Sequence, residues 1–248
     1  MKYKNLVSVI IKTTVDFIVR AMMFHEIKTH EVTTDVVIFT IKKNKLNVLL
    51  VKRAHEPFKA KWAIPGGFIR LSENLDSAAL RILKEKTNVQ NIYLEQLYTF
   101  GDPLRYPNAR VITCAYFALI RSDDIELAFE DTSEITEVQW HEVYNLPPLA
   151  FDHKEIIEYS LKRMRERLEF CPIAFQLLPK KFTLTELQKS YELILDKKLD
   201  KRNFRKKVLT GAILKELDEY TKSGSKRPAR LYSFDNITLD SKRGHFFS

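Results

Sequence analysis

Cysteine is scarce in this sequence of 248 residues, which contains only Cys114 and Cys171. Two cysteines form at most one disulfide, so the sequence excludes the disulfide framework on which many small secreted domains depend. Cys114 lies within an apolar run, where we expect a buried and reduced thiol. Reduced thiols are typical of the cytoplasm, and we therefore expect a cytoplasmic protein.

Long uncharged apolar runs are also lacking, although residues 6–24 are rich in apolar side chains. Three charged residues interrupt that segment: Lys12, Asp16 and Arg20. No run reaches the roughly 18 uncharged residues of a membrane-spanning helix, and no small-residue cleavage motif follows. We expect no membrane partner and interpret residues 1–28 as an N-terminal extension. Two alternatives stay open: a translation start at Met22 or Met23, and an anchor in the membrane interface.

The composition is that of a basic globular protein. Lysine and arginine number 41 against 32 acidic residues, which gives a net charge of +9. The hydrophobic share of 45% and the charged share of 29% are typical of soluble domains, and the length suits two domains. Positive charge favours a nucleic-acid partner only where the cations cluster on one surface, so their positions decide this point.

A glycine turn followed by an amphipathic helix marks the first half of the chain. Gly66 and Gly67 end the apolar strand at residues 62–65, and Ser72-Glu73 gives the following helix a polar, acidic start. The spacing resembles the Nudix box, G-x5-E-x7-R-E-U-x-E-E-x-G-U, in which U is an aliphatic residue. Six residues fit the pattern: Gly67, Glu73, Arg81, Leu83, Glu85 and Val89.

Three residues depart from that box: Ile82 and Lys86 stand where the family has glutamate, and Asn88 where it has glycine. Positions 82, 85 and 86 share one helical face because they are three and four residues apart. In the family, this face carries carboxylates that hold divalent cations against a diphosphate, and such cations stabilise the transition state. Here it carries one carboxylate beside an ammonium group. We therefore expect no catalytic residues, no metal site and no required cofactor, with Mg²⁺ needed only by an active hydrolase.

The remaining signals of the first half predict a Nudix-type α/β/α sandwich with a mixed sheet over residues 29–170. Two β-branched runs flank a polar turn, as in a hairpin, and a capping box at Asp152 to Glu155 opens a long helix that ends before Pro172. The predicted strands are residues 32–41, 46–51, 92–100, 110–120 and 138–140.

The second half, residues 171–240, has the element order of a small winged helix-turn-helix domain. A short helix at residues 173–178 precedes a capping box at Thr183 to Glu186, and Asp200 is the N-cap of a third helix. Strands at residues 213–220 and 229–234 flank a basic turn. The side chains expected to face the core of the third helix are Phe204, Val208 and Leu209.

Cations in this second domain cluster on the third helix and on the hairpin tip. A winged helix-turn-helix places the exposed N-terminal part of its recognition helix in the major groove, where arginine and asparagine read base edges and lysine binds phosphates. The predicted DNA-binding residues are Lys201, Arg202, Asn203, Arg205, Lys206, Lys226, Arg227 and Arg230. The alternative is that these charges keep a protein-docking domain in solution.

A degenerate Nudix domain joined to a winged helix resembles the Nudix-related transcriptional regulators of the NrtR type, best known as repressors of genes for NAD biosynthesis. The likeness covers roughly residues 30–235. Beyond the box it rests on residues 50–54, 56–58, 62–68, 98–103, 115–119, 182–187 and 202–205. The resemblance implies a homodimer that binds a palindromic operator in double-stranded DNA. It also implies an effector in the former catalytic cleft, commonly ADP-ribose and, in another branch, arabinose.

The effector-binding candidates in that cleft are Arg53, Trp62, Phe68, Arg81, Glu85 and Arg110. Arginines suit a pyrophosphate, and the aromatic rings can line the cleft. For Arg81 an alternative is a pair with Glu73 that holds the loop. Three hypotheses follow from the sequence: a repressor that senses ADP-ribose or a related nucleotide, an active ADP-ribose pyrophosphatase, and a regulator that senses a sugar.

Overall fold

The computed structural model describes residues 14–15, 30–87, 93–121, 134–170, 173–211, 214–221 and 228–234, with the backbone alone at 86–87 and 169–170. Residues Val32–Ser248 pack as one unit and Met1–Glu31 as another. The predicted N-terminal extension, apart from residues 14–15, lies outside the described residues, as do Asn88, Val89 and Cys171. No described helix is long and apolar enough to cross a membrane.

In the described residues up to 170, one seven-stranded sheet and two helices form the first part of the larger unit. The strands are β1 (Glu31–Lys42), β2 (Lys45–Arg53), β3 (Trp62–Ala63), β4 (Gly66–Phe68), β5 (Tyr93–Phe100), β6 (Val111–Leu119) and β7 (Ile135–Glu142). The helices are α1 (Leu75–Thr87) and α2 (His153–Phe170). The sheet order is β3-β2-β1-β6-β5, with β4 paired to β1 and β7 paired to β2.

Alternation along β1 explains how two helices cover one sheet, because successive side chains of a strand point to opposite faces. Ile38 belongs to the core cluster that contains Ile82 of α1. Its neighbour Phe39 belongs to the other cluster, which contains Leu161 of α2. Helix, sheet and helix therefore form three layers, and the predicted α/β/α sandwich is confirmed.

Two details of the first part differ from the sequence predictions. The last strand is longer than residues 138–140, because β7 pairs with β2 from Asn47 opposite Glu142 to Arg53 opposite Ile135. The predicted capping box at the start of α2 is wrong in its first member. The Asp152 carboxylate accepts hydrogen bonds from the distant Arg105 side chain instead.

From residue 173 onward, the described residues form three helices and a small sheet. A 3₁₀ helix (Ile173–Leu177) precedes β8 (Lys181–Phe182), α3 (Leu184–Leu195), α4 (Lys201–Thr210), β9 (Leu214–Tyr220) and β10 (Arg230–Phe234). The strands form an antiparallel sheet in the order β8-β10-β9. This arrangement is the predicted winged helix-turn-helix, with β9 and β10 as the wing.

Local capping signals place both α-helices of this motif. The Glu186 N–H donates to Oγ1 of Thr183 at 3.1 Å, and the Thr183 N–H donates to the Glu186 carboxylate at 2.7 Å. The Asp200 carboxylate accepts from the N–H of Asn203 at 2.7 Å and thereby caps α4. The predicted capping box and the predicted N-cap are both confirmed.

Leu209 does not face the core as the sequence predicts. Phe204 and Val208 are buried, whereas Leu209 is 45% exposed. Each residue of an α-helix turns about 100° from the one before, so the residue after Val208 already points away from the packed face. Leu209 therefore shares the outer surface of α4 with Arg202 and Lys206, which are exposed.

Candidate ligand cleft and DNA-binding surface

Arg81 holds the loop that precedes α1. Its Nη2 donates to Oε1 of Glu73 at 2.7 Å, and its Nε donates to Oε2 at 3.0 Å. Nη2 also donates to the Phe68 carbonyl at 3.1 Å. The Arg81 hydrogen bonds, with one from the Arg70 N–H, lower the pKa of Glu73 to about 2. The predicted pairing with Glu73 is confirmed, and effector binding by Arg81 stays a prediction.

The helical face that carries metal ligands in the Nudix family is different here. Ile82 is 1% exposed and packs in the core, and a Cβ on Gly67 would lie 3.9 Å from its Cδ1 atom. Oε1 of Glu85 lies 3.6 Å from Nη2 of Arg70 and 3.5 Å from Nη1 of Arg81. The Lys86 side chain is not described. The described part of this face thus offers one carboxylate, placed between two guanidinium groups.

Three of the six effector candidates lie together. Arg81 contacts the Phe68 carbonyl and the Glu85 carboxylate, and the Phe68 residue is 55% exposed beside them. A cation and an open aromatic ring at one loop suit a nucleotide diphosphate better than an apolar ligand. Trp62, in β3, instead lies edge-on to His141, with ring centroids 4.5 Å apart.

Arg53 and Arg110 make structural contacts of their own. The Arg53 guanidinium lies 4.8 Å from the ring centroid of Phe151, and its Nε donates to the Pro57 carbonyl at 2.8 Å. Nη1 of Arg110 donates to the Gly101 carbonyl at 2.7 Å. Contact of either arginine with an effector stays a prediction.

The structure contains a buried cluster of charged residues that the sequence analysis did not predict. Arg105 is 8% exposed, donates to both carboxylate oxygens of Asp152 at 2.8 Å, and lies 3.6 Å from Oδ2 of Asp35. Burial raises the pKa of Asp35, and hydrogen bonds from Thr113 and Arg105 oppose that rise. An aspartate inside an apolar strand was the one available signal. Its partner follows 70 residues later, beyond the reach of local patterns.

Gly66 and His153 complete the surroundings of this cluster. A Cβ on Gly66 would lie 1.9 Å from Oδ1 of Asp35, so only glycine fits opposite that carboxylate. Nδ1 of the buried His153 accepts from the N–H of Ile64 at 3.0 Å. Burial lowers the pKa of His153 to about 3 and keeps the ring neutral. The start of α2 is therefore fixed to the sheet by buried polar contacts.

The predicted DNA-binding residues of α4 divide into two groups. Lys201, Arg202, Asn203 and Lys206 are exposed, and neither Arg202 nor Lys206 forms an ion pair within the part of the chain that the structure describes. Arg205 is half-buried, and its Nη2 lies 3.4 Å from Oγ1 of Thr185 on α3. The outer face of α4 is therefore cationic and accessible.

In the wing, the structure describes Arg230 but neither Lys226 nor Arg227. Nη1 of Arg230 donates to Glu216 at 2.7 Å, and its Nη2 donates to the Tyr220 hydroxyl at 2.9 Å. Arg230 on β10 thus links the two strands of the hairpin through Glu216 and Tyr220 on β9. Its contact with DNA, like that of Lys226 and Arg227, stays a prediction.

Fold and site together define a class of two-part proteins, in which a Nudix-type sandwich without the usual row of carboxylates precedes a winged helix-turn-helix. Residues 29–160 match the family model of the NUDIX domain. Residues 174–234 match the model of the NrtR DNA-binding winged helix domain. The chain belongs to the NrtR family of Nudix-related transcriptional regulators.

Similar proteins include both regulators and an enzyme. The ADPR responsive transcriptional repressor NtrR of Acinetobacter baylyi is 36% identical over 204 residues, which are 82% of this chain and 81% of that protein. Shewanella oneidensis NrtR, complexed with a 27mer DNA, is similar with 32% identity and a TM-score of 0.76, over 86% of this chain and 98% of that one.

The NUDIX domain of the same Shewanella protein, complexed with ADP ribose, is similar with 36% identity and a TM-score of 0.50, over 55% of this chain and 90% of that one. The ADP-ribose pyrophosphatase of Methanocaldococcus jannaschii is 32% identical over 117 residues, 47% of this chain and 66% of that enzyme. The similarity to the enzyme therefore lies within about half of the chain, whereas the similarity to the regulators spans both parts.

Proposed function

We propose that this protein is a transcriptional repressor that responds to ADP-ribose or a related nucleotide and controls genes of NAD metabolism. It binds a double-stranded DNA operator as a homodimer through α4 and the wing, and it senses its effector in the Nudix-type cleft. The similarity to an ADPR responsive repressor over both parts of the chain supports this proposal. The proposal places its activity in the cytoplasm.

The observation that carries the proposal is the buried Ile82 on the face where the family holds its metal ions. An apolar side chain there supplies no oxygen ligand, and Mg²⁺ requires oxygen ligands. The neighbouring Glu85 lies within 3.6 Å of the Arg70 guanidinium and 3.5 Å of the Arg81 guanidinium. Such a cleft keeps the cations that attract a diphosphate, but at positions 82 and 86 it lacks the further carboxylates that would hold metal ions for cleavage. It acts as a sensor without hydrolysis.

The outer face of α4 supports the DNA-binding half of the proposal. Arg202 and Asn203 are exposed near its N-terminal end, where a recognition helix meets base edges. Lys201 and Lys206 are exposed on the same helix and suit phosphates. Because Asp200 caps the helix, Lys201, Arg202 and Asn203 are presented by an ordered first turn.

Binding assays with candidate effectors test this function. Thermal shift with ADP-ribose, NAD, AMP and arabinose identifies the ligand that stabilises the protein, since a ligand of the native state raises the melting temperature. Gel shift with DNA from upstream of the gene then measures operator binding with and without that ligand. We expect stabilisation by ADP-ribose and retarded DNA. Stabilisation by arabinose alone points to the sugar-responsive alternative, and failure to bind any upstream DNA contradicts the proposal.

A second candidate function is hydrolysis of ADP-ribose, which the similarity to the Methanocaldococcus enzyme favours. Glu73 and Glu85 are the carboxylates that such a reaction would use to hold Mg²⁺. This hypothesis predicts Mg²⁺-dependent turnover that Glu85→Gln abolishes. We propose instead that neither the wild type nor this variant shows turnover.

A further inference from the structure

Tyr144 and Arg165 hold the end of the first helix of the helix-turn-helix. The Tyr144 hydroxyl lies 2.7 Å from the Leu193 carbonyl oxygen and 3.1 Å from that of Ile194. Nε of Arg165 donates to the Ile194 carbonyl at 2.9 Å, and its Nη2 lies 3.3 Å from the Tyr144 hydroxyl. We call these two side chains the clamp. It joins the loop after β7 and the helix α2 to the C-terminal end of α3.

The clamp satisfies groups that a helix cannot satisfy itself. The last carbonyls of an α-helix have no partner within the helix, and a cation near them is favoured by the helix dipole. The Arg165 Nη2 donates to the Tyr144 hydroxyl, which in turn donates to the Leu193 carbonyl, so the two bonds polarise each other. Burial raises the pKa of Tyr144, so its hydroxyl keeps the proton that it donates.

The clamp lies between the sensor and the DNA-binding face. α3 packs against α4 through Tyr191 and Phe204, whose ring centroids are 5.3 Å apart, so the clamped helix sets the position of the exposed cations on α4. At the other end of α2, Asp152 is bound by Arg105, which reaches Asp35 in the sheet. The stretch from Asp152 to Arg165 is about 20 Å long at 1.5 Å per residue, and it is held at both of these residues.

We propose that Tyr144 and Arg165 are positioning residues that fix the helix-turn-helix on the sensor and carry the effect of bound ligand to the operator-binding face. This inference rests on the proposed function for its effector. A ligand changes operator affinity only if the ligated sensor favours another placement of α4. With the clamp removed, α3 is free to sit in either placement, and the coupling between ligand and DNA falls.

Tyr144→Phe tests the proposal because it removes one hydroxyl and leaves the ring. Tyr159→Phe is its matched control, since Tyr159 lies exposed on α2 and stacks on Tyr98. Fluorescence anisotropy gives operator affinity with and without saturating ADP-ribose, and calorimetry gives effector affinity. The coupling ratio is the factor by which saturating ADP-ribose changes operator affinity. We expect it to be at least about fivefold for wild type and control, a typical allosteric magnitude. For Tyr144→Phe we expect a ratio below about twofold with effector affinity unchanged.

A second pair of variants and a second readout separate the possible failures. Arg165→Gln should lower the coupling ratio, and Lys162→Gln, at an exposed position on the same helix, should not. Hydrogen exchange of the amides at residues 193–197 should accelerate in Tyr144→Phe and not in Tyr159→Phe. If ADP-ribose does not change the operator affinity of the wild type, the proposed function is contradicted. The exchange rates at residues 193–197 then still test whether Tyr144 holds the end of α3. A responsive wild type matched by a fully coupled Tyr144→Phe overturns the inference.

Discussion

Arg105 and Asp152 form a two-point ion pair in which both donor–acceptor distances are 2.8 Å. The Arg105 side chain is 4% exposed and that of Asp152 is 15% exposed, so water screens the pair little. Removing one partner of a buried pair leaves an uncompensated charge, which is far more harmful than losing an exposed pair. The pair joins the loop before β6 to the start of α2 and so fixes the helix that leads to the DNA-binding part.

Arg105→Met is therefore expected to lower the free energy of unfolding by about 3–5 kcal/mol, the cost of breaking a buried ion pair. Lys45→Met is the control, because it breaks an exposed pair with Glu142 and should cost at most about 1 kcal/mol. Urea denaturation of both variants measures the difference. Equal losses in the two variants would show that Arg105 is not the anchor of α2.

Ile82→Glu places a glutamate where the family has one, and we expect it to destabilise the protein rather than restore catalysis. The residue is 1% exposed, and burying a charge there costs several kcal/mol. Leu80→Glu on the same helix is the control, because Leu80 is 51% exposed. Thermal melting should separate the variants clearly. A stable Ile82→Glu protein would show that this position tolerates a charge and would contradict the packing of Ile82 in the core.

His153 should make the protein less stable in mild acid. Its pKa is about 3 in the native protein against an ordinary value of 6.5, so between these values the unfolded chain binds a proton that the native state does not. Stability from this residue is therefore present above pH 6.5 and is lost as the pH falls, by about 1.4 kcal/mol per pH unit. Asp35 acts in the opposite direction, because its raised pKa adds stability at low pH that is lost as the pH rises.

Comparison with His153→Gln isolates this contribution, since glutamine can still accept the hydrogen bond from Ile64 and does not titrate. From pH 6.5 to pH 5 the wild type should lose about 2 kcal/mol more than the variant. Chemical denaturation at several pH values measures both curves. Parallel curves would mean that His153 is not buried in the neutral form.

Arg202→Ala should weaken operator binding by about 1–3 kcal/mol and relax the base preference at one position, as expected for a base contact. Lys206→Ala should weaken binding equally for all sequences and lower the slope of log affinity against log salt by about one. Lys154→Ala on α2 is the control and should leave both quantities unchanged. Unaltered affinity in both α4 variants would contradict the assignment of α4 as the recognition helix.

Local signals in the sequence predicted the elements that local contacts build. The Thr183 and Glu186 capping box and the Asp200 N-cap need partners only three residues away, and both are present in the structure. The hairpin of β1 and β2 and the winged helix-turn-helix order followed from similar short-range patterns. The pairing of Glu73 with Arg81 was foreseen as an alternative, because the box fixes their spacing.

Contacts between residues far apart in the sequence could not be predicted from such local patterns. Asp152 has the spacing of a capping residue, but Arg105 lies 47 positions earlier and binds its carboxylate in the folded protein. The sequence does not predict the contacts of Tyr144 and Arg165, because their partners are the backbone carbonyls of Leu193 and Ile194, which carry no sequence signature. Such contacts depend on how the elements pack, and a single sequence does not display that packing.

We propose that the cleft senses ADP-ribose without cleaving it. The most direct measurement follows the anisotropy of labelled upstream DNA bound to the full chain in the presence of Mg²⁺ while ADP-ribose is added, and then recovers the nucleotide by chromatography. We expect operator affinity to change at least about fivefold, within the usual range of allosteric coupling, and the ADP-ribose to be recovered intact. Unchanged affinity, or conversion of ADP-ribose to AMP and ribose 5-phosphate, would contradict the claim.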